Sequence, residues 1–229
     1  MKNFVGLTSN GEYSVGCTGQ TVYLYDKDGK EIAKFKDLIY AYSPLISPDG
    51  KIFVVKSTEG RLAVYSLESV ALVKKFRFSK VNGSQDDNFC FSPDSKEFYN
   101  IERHVDNCKT ALSIYYTSDF SLKKRILSDD YNLVLTAIEY SADENKIFLL
   151  GYIREPRSGV ACKFFVGELI KTSLQNIAYI SEKEHDFYLN CKHFEFHPDG
   201  ITHYHTPDEI SRFKNANHSL AKLWKHYSK

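Results

Sequence analysis

The sequence predicts an all-β fold, and three observations carry that prediction. Tyr and Phe number 16 each, against one Trp and one Met, and both aromatics favour the pleated, half-buried setting of a strand. Short apolar runs of strand length alternate with Gly, Pro, Asp and Asn clusters almost from end to end, the punctuation expected of many short strands. A turn of the form Ser-Pro-Asp-Gly also returns in a fixed order relative to the strands around it, which marks a repeat architecture.

The elements follow in chain order. Phe4–Leu7 reads as a first strand, and the turn Ser9-Asn10-Gly11 follows it. Cys17-Thr18-Gly19-Gln20 closes the next hairpin, because Gly accepts the positive φ that a tight hairpin demands. The repeat then shows itself in full. Ile39–Tyr42 leads into Ser47-Pro48-Asp49-Gly50, then Ile52–Val55, the turn Thr58-Glu59-Gly60, Arg61–Tyr65 and Ala71–Phe76. The same order returns as Asn88–Phe91, Ser92-Pro93-Asp94-Ser95, Glu97–Ile101, Ala111–Tyr115 and Leu122–Ile126. Three weaker copies keep it: Phe4–Leu7 before Ser9-Asn10-Gly11, Thr136–Tyr140 before Ser141-Ala142-Asp143-Glu144-Asn145-Lys146, and His193–Phe196 before His197-Pro198-Asp199-Gly200. The turn chemistry is intelligible. Pro presets φ, Asp or Asn bonds back to the local backbone, and Gly takes the left-handed position.

The five turns begin at positions 9, 47, 92, 141 and 197, separated by 38, 45, 49 and 56 residues. That spacing suits four short strands per unit, and units of this kind form the blades of a β-propeller, in which radial repetition shields most strand edges. Seven blades would leave each only about 33 residues, short of the usual 40 to 45. The sequence therefore predicts a single domain over 1–229, a five-bladed propeller with four-stranded antiparallel blades near 1–38, 39–84, 85–132, 133–184 and 185–216. In the fifth, Ile201–His205 and Ile210–Phe213 would supply further strands. Leu220, Leu223, Trp224 and Tyr227 fall on a helical stripe, so a short C-terminal helix is expected over 218–228. An open or two-layer β arrangement of the same hairpins is the alternative.

The Ser-Pro-Asp-Gly turn followed by three strands resembles WD-repeat and related propeller repeats over almost the whole chain. The sequence departs from that pattern: no Gly-His opens a repeat and no Trp-Asp closes a third strand, Tyr25-Asp26 being the nearest echo. The resemblance thus implies a divergent propeller packed by aromatics, without the side-chain network of WD blades.

Composition excludes several functions. Thirty Lys and Arg against 29 Asp and Glu leave a net charge of +1, far from the basic excess that phosphate tracking needs, so no nucleic acid is expected as partner. The N-terminal residues lack the apolar core of a secretory signal, and no apolar run reaches the length of a membrane span. Cys17, Cys90, Cys108, Cys162 and Cys191 are scattered and odd in number. A cytoplasmic protein with free, mostly buried thiols is expected. No phosphate-binding glycine loop, nucleophile elbow, zincin or kinase signature occurs, so the sequence implies no cofactor.

Candidate functional residues come from charge and histidine placement. Seven of the eight histidines lie from His185 onward. On strands, His203 with His205 and Cys191 with His193 would each share a face, a pairing that zinc accepts in type, although the spacing matches no established zinc motif and the expectation is no metal. On a propeller, the loops between blades and those between the middle strands emerge on one face. The first kind carries Asp86, Asp87, Asp129, Asp130, Glu182, Glu184 and Asp186; the second carries Arg103, His104 and Asp106, then Arg154, Glu155 and Arg157. A face of mixed charge can orient a protein partner and reject wrong ones. Arg suits a binding hot spot, and Pro156 lowers the entropy of its loop. Tyr23, Tyr25, Tyr65, Tyr99, Tyr115 and Tyr116 are expected mainly as strand packing. From Ile210 onward the chain has Arg212, Lys214, Lys222, Lys225 and Lys229 without an acid, a tail expected to cap the edge of the domain.

These features predict a non-catalytic, monomeric interaction module that binds a protein through its loop face, in one version an immunity-type inhibitor whose acidic loops meet a basic toxin. The competing reading is a propeller-type hydrolase or lactonase with a site in the central channel. Glu139 and Glu195 are the carboxylates best placed for it, which is few for that chemistry.

Overall fold

The computed structural model describes residues 2–78, 89–103, 110–127, 132–196, 206–215 and 218–229. Sixteen strands fall into four antiparallel sheets, each a simple meander in chain order. The first holds β1 (Gly6–Ser9), β2 (Tyr13–Cys17), β3 (Val22–Asp26) and β4 (Glu31–Phe35). The second holds β5 (Ala41–Ile46), β6 (Ile52–Ser57), β7 (Arg61–Ser66) and β8 (Ala71–Arg77). The third holds β9 (Phe89–Phe91), β10 (Glu97–Arg103), β11 (Thr110–Tyr116) and β12 (Leu122–Ile126), and the fourth β13 (Leu133–Ser141), β14 (Lys146–Arg154), β15 (Ala161–Ile170) and β16 (Ser173–Ile180). Among the described residues three helices follow: α1 (Glu182–Phe196), α2 (Pro207–Asn215) and α3 (Leu220–Tyr227). The chain is therefore predominantly β, as its composition predicts.

The recurrent turns do what their residue types dictate. Ser47 donates its hydroxyl to Asp49 (2.7 Å) and accepts from the Ile52 amide, Asp49 accepts from the Lys51 amide, and Gly50 takes φ +67°. The second copy repeats the set with Ser92, Asp94, Lys96 and Glu97, but Ser95 occupies the left-handed position at φ +57°. In the weaker copies, Asn10 accepts from the amides of Glu12 and Tyr13, and Asn145 stands at φ +52°. The first strands of the first two sheets are displaced from expectation: β1 is Gly6–Ser9 rather than Phe4–Leu7. β5 starts at Ala41, because Tyr40 is left-handed at φ +55° and ends the extended run read over Ile39–Tyr42.

By contacts the chain forms two compact units, Met1–Asp87 with Lys192–Asn215, and Asn88–Cys191 with Ala216–Lys229. In the first, the faces of two sheets meet through Val15, Leu24, Phe35, Phe53, Val55 and Tyr65. Tyr65 stacks on Phe53 at 4.7 Å and lies 4.5 Å from Phe35, so the aromatic excess fills the space between sheets. In the second, Ile101, Leu112, Ile138 and Leu149 join the third and fourth sheets. The other face of the fourth sheet, with Phe148, Leu150 and Val166, packs against Tyr188 of α1 and Leu220 and Leu223 of α3. The expected C-terminal helix is thus present, with its apolar stripe on a sheet.

The segments read as strands of a fifth repeat are helical where they are described. His193–Phe196 ends α1, and Ile210–Phe213 lies within α2. Helix-initiation signals decide both cases. Ser181 and Glu184 stand in capping-box positions, the Ser181 hydroxyl accepting from the Glu184 amide at 3.2 Å, and acidic residues fill the first turn, where the helix dipole favours them. At α2 the box is reciprocal: Glu209 accepts from the Thr206 amide at 2.8 Å and Thr206 accepts from the Glu209 amide at 3.3 Å, with Pro207 at the first helical position. The turn His197-Pro198-Asp199-Gly200 and the segment Ile201–His205 lie outside the described residues.

Candidate protein-interaction surface

Of the residues singled out from sequence, Arg154, Glu155 and Arg157 form one built feature. β14 ends at Arg154, whose amide bonds to the Asn132 carbonyl at 2.8 Å and whose guanidinium stands 5.9 Å from the Tyr152 ring centroid. The connection to β15 is then closed on itself. The Glu155 amide donates to Val160 and the Gly159 amide to Glu155, both at 2.8 Å, and Ser158 donates to the Glu155 carboxylate at 2.5 Å. Glu155 is consequently engaged within the loop, while Pro156, Arg157 and Val160 (63% exposed) face solvent. A loop fixed by its own hydrogen bonds loses little entropy on binding.

At the same end of the second unit, Cys162, Lys163, Phe164, Tyr179, Ile180 and Glu182 line an open groove of about 500 Å³. Tyr179 is 56% exposed there, with the Lys163 ammonium 5.9 Å from its ring. The groove floor is packed and hydrogen-bonded from beneath. Phe164 packs at 4.9 Å on the ring of His185, which is buried and bonded through Nε2 to Thr136 and through Nδ1 to Asp186, each at 2.9 Å. Arg, Tyr, Phe and a short apolar segment beside fixed charges make the composition typical of a binding patch.

Of the remaining predicted positions, Glu182 lines this groove and Asp186 bonds the His185 beneath it; the others are not brought to the patch among the described residues. Arg103 ends β10, but its side chain, together with His104, Asp106, Asp86, Asp87, Asp129 and Asp130, lies outside the described residues. Glu182, Glu184 and Asp186 do not form a loop between sheets; they make the first turns of α1. Cys191 and His193 also sit on that helix, where residues two apart point to different sides. The shared face expected of them on a strand does not exist. His203 and His205 are outside the described residues. Among those described, no group of three or more His, Cys, Asp or Glu side chains is placed to hold a metal ion.

The sequence does not show the structural use of three carboxylates: Glu102 and Glu168 are buried, and Glu139, expected to serve a central channel, is half-buried. Glu102, 1% exposed, accepts from Tyr115 (2.5 Å), Arg125 (2.9 Å) and Asn100 (3.3 Å), tying edge strand β12 into the sheet. Glu168 does the same for edge strand β16, accepting from Lys146 at 2.6 Å and Asn176 at 2.7 Å. Glu139 accepts from the Tyr188 hydroxyl at 2.8 Å and the Leu220 amide at 3.2 Å, fastening α1 and α3 to β13. Most of their partners lie 13 or more residues away, and no local pattern announces them. Cys17 and Cys90 are buried, and burial pushes both thiols well above the ordinary range, which makes them inert packing groups.

No protein-family model matches the chain, and neither does any curated protein. Among solved structures it is similar to a chain of hydrazine synthase from Kuenenia stuttgartiensis, with a TM-score of 0.57 and 16% identity over 76% of this chain. The match spans 52% of that protein's chain. At this identity the likeness concerns the fold alone.

Proposed function

We propose that the chain is a divergent β-propeller and works as a cytoplasmic interaction module that holds a protein partner through its strand-connecting loops. Four consecutive four-stranded meanders joined by Ser-Pro-Asp-Gly-type turns support the architecture. The observation that carries the function is the internally bonded Glu155–Val160 loop, which exposes Arg157 at the end of the fourth sheet that also carries the Tyr179 groove. Against catalysis by a carboxylate pair stands the use made of its two candidates: Glu139 fastens helices, and Glu195 belongs to α1 rather than to an inner strand. The hydrazine synthase likeness transfers no activity. An immunity-type inhibitor of a basic toxin is the specific form of this proposal.

The test is affinity purification of the tagged protein from its own host. One stoichiometric partner is expected, and the double substitution Arg154→Ala, Arg157→Ala should weaken its binding by at least about tenfold, since buried Arg anchors dominate interfaces. The thermal midpoint should stay unchanged. Absence of any enriched partner, or binding indifferent to both substitutions, would overturn the proposal.

A further inference from the structure

An aromatic cluster around a lysine ammonium sits on the first sheet. Tyr23 and Tyr25 are two apart on β3 and so project from the same face; their rings lie 6.4 Å apart and nearly parallel, at 21°. Phe4 meets both edge-on, at 5.9 and 6.1 Å. A third wall of this kind needs a seat, and Gly16 supplies it. A Cβ on Gly16, which pairs with Tyr23 across the strands, would stand 2.6 Å from the Phe4 ring.

The cluster already has an occupant, the side chain of Lys2. Its ammonium is 4.0 Å from the Tyr23 ring centroid and 5.3 Å from that of Tyr25, donates to the Tyr25 hydroxyl at 3.0 Å and pairs with the Glu31 carboxylate. Lys34 also pairs with Glu31, at 3.0 Å. Those hydrogen bonds raise the Lys2 pKa and lower that of Glu31, so both stay charged at neutral pH. Two tyrosine ring faces, buttressed edge-on by Phe4, together with a carboxylate form a cation site of the cation–π type. With 37% of the Lys2 side chain still exposed, the site opens to solvent.

We propose that Phe4, Tyr23, Tyr25 and Glu31 form a binding site for an alkylammonium group that retains at least one N–H, and that Lys2 is its self-supplied, displaceable occupant. The donor requirement follows from the walls. Glu31 and the Tyr25 hydroxyl accept hydrogen bonds, which a lysine side chain or its mono- or dimethyl form can give and a quaternary ammonium cannot. Tethering Lys2 to the sheet makes it a competitor of high effective concentration, which an external amine must overcome.

Lys2→Ala removes the nearer competitor and leaves every wall in place, while Lys34, 5.9 Å from the Tyr23 ring centroid and paired with Glu31, stays at the rim. Ring resonances of Tyr23 and Tyr25 followed by NMR during titration with n-butylammonium should shift saturably in this variant. The wild-type protein should bind at least about tenfold more weakly, from the lost competition. N,N-dimethylbutylammonium should bind comparably to n-butylammonium, and tetramethylammonium several-fold more weakly. Acetyl-lysine amide with a free side chain, set against free butylammonium, distinguishes a protein lysine from a free amine. Two further variants in the Lys2→Ala background, Tyr23→Leu and Gly16→Ala, should each abolish the shifts by removing one wall or displacing another, with unchanged far-UV circular dichroism. Equal binding to wild type and Lys2→Ala, no shift of the tyrosine rings, or preference for tetramethylammonium would overturn the proposal.

Discussion

Gly50 and Ser95 hold the same place in two copies of one turn, and the backbone there is left-handed in both. An L side chain in that region costs roughly 1 to 2 kcal/mol, which Gly does not incur. Gly50→Ala should accordingly destabilise the protein by about 1 kcal/mol. The nearest atom to the added Cβ would be Asn10 Nδ2 at 3.5 Å, an ordinary contact, so the cost belongs to the backbone. Ser95→Gly should move stability the other way by a few tenths to about 1 kcal/mol, the strain relieved being partly offset by greater freedom of the unfolded chain. Chemical denaturation of both variants checks the pair. Equal signs would show that the turns are not equivalent. Residue types at these positions were legible in the sequence because turn geometry is a local demand.

Among the elements, the helices behave differently from the strands. Several strands of the first three sheets, β2, β6 and β10 among them, follow turns whose chemistry can be read directly. α1 could not be read by period: Phe187, Tyr188, Leu189 and Cys191 do not trace a narrow stripe, and His193–Phe196 alternates as a strand would. Its legible signal was the capping box at Ser181 and Glu184. Ser181→Ala should cost about 1 kcal/mol, seen as a lower thermal midpoint. Glu139 fastens α1 and α3 from a strand 49 and 81 residues away from its partners. Glu139→Ala leaves the Tyr188 hydroxyl and the Leu220 amide without that acceptor and should cost about 2 to 3 kcal/mol. Hydrogen exchange should speed up selectively in 182–191 and 220–227, with β14 still protected. Uniform loss of protection would show that Glu139 supports the sheet rather than the helices. Trp224 adds a second tie, its indole N–H donating to the Asn176 carbonyl at 2.6 Å, which covers part of edge strand β16.

For the molecule as a whole, acid sensitivity follows from a small set of carboxylates. Hydrogen bonds from Ser92 and the Lys96 amide lower the Asp94 pKa, and those from Lys2 and Lys34 lower that of Glu31. At Glu97 burial raises the pKa, but hydrogen bonds from Lys123 and Tyr99 outweigh it. A carboxylate whose folded pKa is depressed contributes stability that is complete above its unfolded pKa, near 4 for these groups, and is lost as pH falls through the folded value. Stability should therefore be flat with respect to these groups from pH 7 to about 5 and decline below about 4. Combining Asp94→Asn with Glu97→Gln should flatten that decline in denaturation curves taken between pH 5 and 2. An unchanged slope would assign the acid sensitivity to other groups.

The sequence by itself determined the class of fold, the places of the main turns and the stripe of the last helix, because each depends on residues within a few positions of one another. Side-chain period, φ preference and turn hydrogen bonds are local properties, and they repeat wherever the same residues repeat. The tertiary structure decided the rest: that 182–196 and 207–215 are helical, that Glu102, Glu139 and Glu168 are spent on holding strands and helices, and that Phe4, Tyr23 and Tyr25 meet around Lys2. Those outcomes depend on contacts between residues tens of positions apart, whose proximity is set by how sheets and helices pack and is written in no single stretch of chain.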